Sequence, residues 1–216
     1  MEKLSDMIGT PSDPFESAAV VHRRHFLAAG AATMAAWGAG SGAAHAQAPK
    51  AKRVLAQSAT EQDRAYMKQA IQLMRQAGVV DKTGGPFGAV VVRDGEVLAA
   101  TGNSVLRDND PSAHAEVNAI RMACKKVGAP NLKGATLFSS CEPCPMCYST
   151  AYWARVGKIY YAAAWTDYAD LFDDSNIDRD MKQSYAKRQV PVAQLMQSDA
   201  QQVWLDYRKM PEKTRY

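Results

Sequence analysis

Histidine is scarce in this chain. Of the four in its 216 residues, His22, His25 and His45 fall within the first 46, which leaves His114 as the only imidazole beyond them. A site built from several histidines is thereby excluded from the body of the chain. Cysteine is as rare, with Cys124, Cys141, Cys144 and Cys147 as the full set. That excludes a disulfide-dense scaffold, although an even count still allows two bridges. Cys144 and Cys147 lie too close within one helical turn to form a relaxed one. No apolar run reaches the roughly 20 residues a bilayer span requires. Block charge is missing too: 26 Lys and Arg against 22 Asp and Glu give a net charge of +4 with no basic cluster. Such a balance gives little support to nucleic-acid binding. No repeat period recurs. What is present, 47% hydrophobic and 22% charged residues, suffices for one globular domain.

Residues 1–46 differ from the rest. A polar start leads to Arg23-Arg24-His25-Phe26-Leu27, a weakly apolar Ala- and Gly-rich run over residues 27–42, and Ala44-His45-Ala46. Paired arginines before a modest apolar stretch and an A-x-A site describe a twin-arginine export signal. A stable membrane anchor is disfavoured by the dilution of that run. The expectation is a periplasmic protein that engages the twin-arginine export machinery, or a cytoplasmic one if the leader does not function. Export by this route carries folded protein, so a metal can be loaded beforehand. Without the leader, 23 basic residues face 18 acidic ones. Residues 47–59 read as a polar linker and residues 60–216 as the domain.

Within the domain, Thr60 begins a helix whose Met67, Ala70, Ile71, Met74 and Ala77 recur at helical spacing. Two β-rich runs, residues 87–93 and 96–103, flank Asp94-Gly95 and predict a hairpin. Ser112 can cap a helix that ends at Gly128 and holds His114 and Glu116 in its first turn. Strands are expected over residues 135–140, 158–164 and 190–196, and helices from Pro145 to residue 156 and over residues 200–210. Residues 165–181 read as acidic and irregular. This order predicts a three-layer α/β/α sandwich around a five-stranded mixed sheet.

Two runs carry the chemistry, Pro111-Ser112-Ala113-His114-Ala115-Glu116 and Cys141-Glu142-Pro143-Cys144-Pro145-Met146-Cys147. One His and two Cys at C-x-x-C spacing are one ligand short of a closed zinc tetrahedron, which is how a catalytic zinc keeps a position open. Bound zinc lowers the pKa of water to about 7, and a carboxylate beside it can then move protons. His-x-Glu followed by Pro-Cys-x-x-Cys is the pattern of zinc-dependent deaminases of nucleobases, in which the Glu is an acid and base rather than a ligand. His114, Cys144 and Cys147 are therefore the candidate ligands of one Zn2+ per subunit, and Glu116 the candidate proton carrier. The plainer readings are a thioredoxin-like redox turn or a structural site, and for Glu116 a first-turn acid that complements the helix dipole. Cys124 reads as core, and Cys141 as a packed thiol beside the site.

Further runs extend the pattern: Gly84-Gly85-Pro86-Phe87-Gly88-Ala89-Val90, Asn109-Asp110-Pro111, Tyr152-Trp153-Ala154-Arg155 and Phe172-Asp173-Asp174-Ser175. With the zinc motif, they make residues 60–216 resemble the bacterial guanine deaminases of the cytidine deaminase superfamily. The resemblance implies a cytidine deaminase-like fold and hydrolytic deamination of a purine, guanine to xanthine. It implies that Asn103 bonds the base, Phe87 and Trp153 flank it, the Ala115 backbone contacts it, and Asp174 binds its amino edge and assists proton transfer. It also implies a homodimer with an exchanged C-terminal segment, in which Tyr216 closes the neighbour's site. The bland readings are core packing for Phe87 and Trp153, a surface acid for Asp174, and a frayed end for Tyr216. The chain departs from that family at Ala164-Trp165, where an acidic residue and a His are usual. Other substrates in the same chemistry are cytosine, adenine, guanosine or an aminotriazine; a non-catalytic zinc or redox protein is the reading from another class.

Overall fold

A computed structural model describes residues 59–213. The expected export signal, most of the expected linker and Tyr216 lie outside the described residues. Helix α1 (Glu61–Arg75) begins where Thr60 Oγ1 accepts from the Asp63 N–H at 3.1 Å and the Asp63 carboxylate accepts from the Thr60 N–H at 2.8 Å, a reciprocal capping box. It runs on into a π-helical turn, Gln76–Val80. Strands β1 (Gly88–Arg93) and β2 (Glu96–Gly102) form the expected hairpin. Its two turn residues, Asp94 and Gly95, both take positive φ, which matches the twist of the strands.

After a four-residue helix, α2 (Val105–Asp108), come α3 (Ala115–Val127) and β3 (Thr136–Cys141), then α4 (Pro145–Trp153) and β4 (Lys158–Ala163). The sheet order is β2-β1-β3-β4; β1 is antiparallel to both its neighbours and β3 is parallel to β4. A parallel neighbour requires a crossover, and α4 supplies it. Val91, Ile120, Leu132, Leu137 and Ala151 fill the layer between the sheet and helices α3 and α4. Val90, Val92 and Phe138 fill the layer under α1, with Tyr66, Met67 and Leu73. The alternation of Val90 with Val91, and of Leu137 with Phe138, feeds both layers, so the three-layer α/β/α sandwich stands.

Three expectations need correction. The sheet has four strands among the described residues, because residues 190–196 form no strand. Pro191 removes a ladder donor there, and Val190 and Leu195 remain 75% and 86% exposed, paired with neither edge strand, β2 nor β4. Residues 165–181 are more regular than expected: they hold a 3-10 turn, Trp165–Asp167, and helix α5 (Ser175–Met181). Ser112 does not cap α3; its hydroxyl donates to Asp110 instead, and His114 takes the cap position. The last helix, α6 (Gln197–Lys209), buries none of its residues. No described helix is long and apolar enough to cross a membrane.

Candidate active site

The two motifs meet because two helices start at one place. His114 caps α3 in an extended backbone conformation, Cys144 caps α4 in the same way, and Pro145 fills the first position of α4, where no N–H is needed. Cys147 then lies one turn along α4. The positive ends of both helices thus converge on the ligand atoms and favour negative charge there.

The ligand geometry fits zinc. His114 Nδ1 is 3.7 Å from Cys144 Sγ and 3.5 Å from Cys147 Sγ, and the two sulfurs are 3.6 Å apart. A tetrahedron with Zn–S near 2.3 Å and Zn–N near 2.0–2.1 Å requires separations of about 3.8 Å between sulfurs and about 3.6 Å from nitrogen to sulfur. The titration of the donors points the same way. Its hydrogen bond with Cys147 draws the Cys144 thiol down to about 4, whereas the same bond and burial push Cys147 up. Among the described residues this is the one cluster of three such donors. Its three donors leave one corner of a zinc tetrahedron open.

Glu116 lies in the first turn of α3 and is 4% exposed. Burial pushes its carboxyl above the ordinary range, while Ser139 Oγ donates to its Oε1 at 3.0 Å. Together with His114 and Cys144 it lines a cavity of about 420 Å³, which Phe87, Asn103, Phe172 and Asp174 also line. Asn103 is fixed at both ends: its carbonyl accepts from Thr83 Oγ1 at 2.7 Å and its Oδ1 accepts from the Val105 N–H at 3.1 Å. The Val105 N–H can meet only an oxygen, so the side-chain amide is oriented with Nδ2 as its other end. Gly84 makes room for this, since a Cβ there would run into Asn103 Oδ1. Asp174 precedes α5; burial raises its carboxyl, and Tyr168 OH donates to it at 3.4 Å. Phe87 packs edge-on against Phe172 and Tyr168, at 5.2 and 5.7 Å between ring centres.

The structure therefore brings His114, Cys144, Glu116, Asn103, Phe87 and Asp174 to one cavity, with Cys147 buried behind its metal-ligand wall. Ala115 is buried at the start of α3 without lining the cavity. Trp153 lies elsewhere, at the end of α4, 59% exposed, with its ring edge-on to Tyr152 and under Arg155. Cys141 is a buried free thiol, raised to about 11 by burial and outside the triad. Sequence reasoning assigned no role to Ser139, Tyr168 or Gly84, although Gly84 opens one of the runs that carry the resemblance. Ser139 had one usable signal, a hydroxyl at a core-facing strand position; Tyr168 had none.

Comparison with known proteins agrees with this arrangement. The family described as the cytidine and deoxycytidylate deaminase zinc-binding region matches residues 60–163. The chain is 43% identical over 152 residues to a guanine deaminase of Bacillus subtilis, spanning 70% of this chain and 97% of that protein. It is 44% identical over 98 residues to a tRNA-specific adenosine deaminase of Agrobacterium fabrum, spanning 45% of this chain and 63% of that protein. The X-ray structure of the guanine deaminase from Bacillus subtilis superposes with a TM-score of 0.68 at 42% identity, covering 71% of this chain and 98% of that one.

Proposed function

The chain belongs to the cytidine deaminase family of zinc-dependent hydrolytic deaminases, and from that membership we propose that it acts on guanine, releasing xanthine and ammonia. The observation that carries the substrate is the extent of likeness. It spans 97% of the guanine deaminase but only 63% of the tRNA-specific adenosine deaminase.

The cavity supports the same reading. Asn103 Nδ2 is a donor only, suited to a ring nitrogen lone pair or a carbonyl oxygen of the base. Phe87 and Phe172 offer flat apolar walls to a planar ring. Water adds to the amino-bearing carbon, a C–O bond forms, the C–N bond breaks, and the nitrogen leaves as ammonia. When bound, zinc supplies Lewis acidity at the one open coordination position. Glu116 takes one proton from the attacking water and delivers it to a ring nitrogen, then moves the second, from the newly formed hydroxyl, to the departing amine. Its burial suits this exchange, because a raised carboxyl pKa brings the acid and base forms closer in energy at working pH. Asp174, raised in the same way, binds the amino edge and assists the second transfer.

Ammonia release by the leaderless protein from guanine, guanosine, adenine, cytosine and aminotriazines tests the proposal. Turnover of guanine at the highest kcat/KM is expected. Preference for another member of the panel would overturn the substrate, and failure on all would return the chain to a non-catalytic role.

Two features of the whole protein belong to this reading. Pairing with a second copy through an exchanged C-terminal segment is supported by the apolar surface left uncovered: Tyr148, Tyr152 and Trp153 on α4, Tyr161 on the edge strand β4, and Trp204 on α6 are all exposed. Sedimentation should show a dimer, and a chain cut after residue 181 should sediment as a monomer. Export through the twin-arginine route is supported by Arg23-Arg24, the apolar run and Ala44-His45-Ala46. Replacing both arginines by lysine should keep deaminase activity in the cytoplasmic fraction.

A further inference from the structure

Ser139 sits where the core offers it almost nothing to bond. Strand β3 alternates Leu137 towards α3 and Phe138 towards α1, so Ser139 returns to the α3 side beside the deepest apolar layer. It is 1% exposed, between Ala89 of β1 and Tyr161 of β4. A hydroxyl buried there without a partner costs about 1–3 kcal/mol. Its bond goes to Oε1 of Glu116 at 3.0 Å, spanning 23 residues of chain. The neighbouring Ser140 does something different: its oxygen accepts from the Gly88 N–H at 2.9 Å and pins the start of β1. Two adjacent serines thus divide between the backbone and the reacting carboxyl.

We propose that Ser139 is a positioning residue for proton transfer, its hydroxyl holding Oε1 of Glu116 so that Oε2 is kept for the proton in transit. This rests on the reading of Glu116 as the proton carrier. A glutamate side chain has three rotatable bonds, and packing alone does not choose between the two oxygens of its carboxyl. One directed hydrogen bond from a rigid central strand does choose. A proton carrier must be held within about 0.5 Å of its productive position, and small misplacements can lower rates by about a hundredfold. The hydroxyl donates whether Glu116 is a carboxylate or a carboxylic acid, so the hold survives both halves of the proton cycle. A serine with a merely structural role would affect folding and substrate affinity but would be indifferent to the identity of residue 116.

Turnover of guanine by S139A, S139T, E116Q and the S139A/E116Q double variant, with zinc content and thermal midpoint measured on each, tests the proposal. S139A is expected to bind zinc fully, to keep KM within about twofold, and to lose about 10- to 100-fold in kcat, the range seen when outer partners of site residues are removed. S139T keeps the hydroxyl and should recover most of that loss. In the E116Q background, adding S139A should change the residual single-turnover rate by less than about twofold, because the two residues act as one unit. Unchanged kcat in S139A overturns the inference, and so does an equal loss with and without Glu116. If E116Q itself turns over guanine at nearly the parent rate, the reading of Glu116 has failed. If E116Q is inactive while S139A is normal, only the role of Ser139 falls.

Discussion

Replacing Asn103 by Asp changes one atom type and almost no volume, so its consequences can be worked out in detail. The bond from the Val105 N–H to Oδ1, 3.1 Å long, is kept. What is lost is the Nδ2 donor, and in its place stands a second acceptor facing an acceptor on the base. Asn103 is 4% exposed, so bulk water cannot make good the missing bond. The new carboxyl also shares its cavity with Glu116 and Asp174, two acids that burial has already raised. Leaving one buried bond unmade costs about 1–3 kcal/mol, and more when charge is involved. At about 3 kcal/mol, kcat/KM for guanine should fall about a hundredfold. Asn103→Ala, which leaves space for a water and brings no like-polarity contact, should lose less than Asn103→Asp. The sign of the pH effect follows from the same atoms. A carboxyl at position 103 becomes a donor once protonated, so the ratio of variant to parent kcat/KM should rise as pH is lowered from 8 towards 5.5. Taking the ratio removes the titrations that both proteins share. The assay is ammonia release at several pH values, with zinc content confirmed. An Asp variant within threefold of the parent, a worse Ala variant, or a flat or falling ratio would refute the assigned orientation of Asn103.

Removing the metal with dipicolinate should abolish turnover and make Cys144 and Cys147 reactive towards a thiol reagent. Added zinc should reverse both changes, and activity that survives complete removal would refute a zinc-dependent reaction. Asp63→Ala should lower stability at pH 7 by about 0.5–1 kcal/mol through loss of the capping box, measured by denaturant unfolding. The backbone hydrogen bond from Thr60 holds the Asp63 carboxyl below its ordinary value of 3.8. Its contribution is therefore complete above that value and disappears as pH falls through the lowered folded one, so the parent and variant stabilities should converge in acid. A difference that persists at the lowest pH would show that the cap works without the charge.

The metal centre was legible in the sequence because each half of it is local. His114 and Glu116 are two residues apart, Cys144 and Cys147 are three apart, and each pair opens a helix whose start is marked by Pro or by the following apolar periodicity. The hairpin was legible for the same reason, since Asp94-Gly95 specifies the turn without reference to the rest of the chain. Residues 190–196 misled because β-branched composition describes a surface that a neighbouring strand must complete, and none of the described strands pairs with them. Trp153 shows a similar limit. A motif supplies the residue type, but only the turn of α4 decides which side of the helix the ring occupies, and within one chain it does not line the cavity.

The residues that sequence reasoning missed have one thing in common: each acts on another side chain rather than on the substrate. Gly84 is there for Asn103, Ser139 for Glu116, and Tyr168 for Asp174. Their partners lie 19, 23 and 6 residues away in sequence, the first read from the numbering and the others from their bonds. The Ser139–Glu116 connection exists only after α3 has been laid over β3, the Gly84–Asn103 one only after the β1–β2 hairpin has closed, and the Tyr168–Asp174 one only once the chain has turned between residue 167 and α5. The metal ligands alone fix where zinc can sit. On the proposed mechanism, this supporting layer sets which oxygen of Glu116 carries the proton and which end of Asn103 meets the base. Substrate choice and rate should therefore be more sensitive to Gly84 and Ser139 than their small side chains suggest, while metal affinity should be nearly indifferent to both.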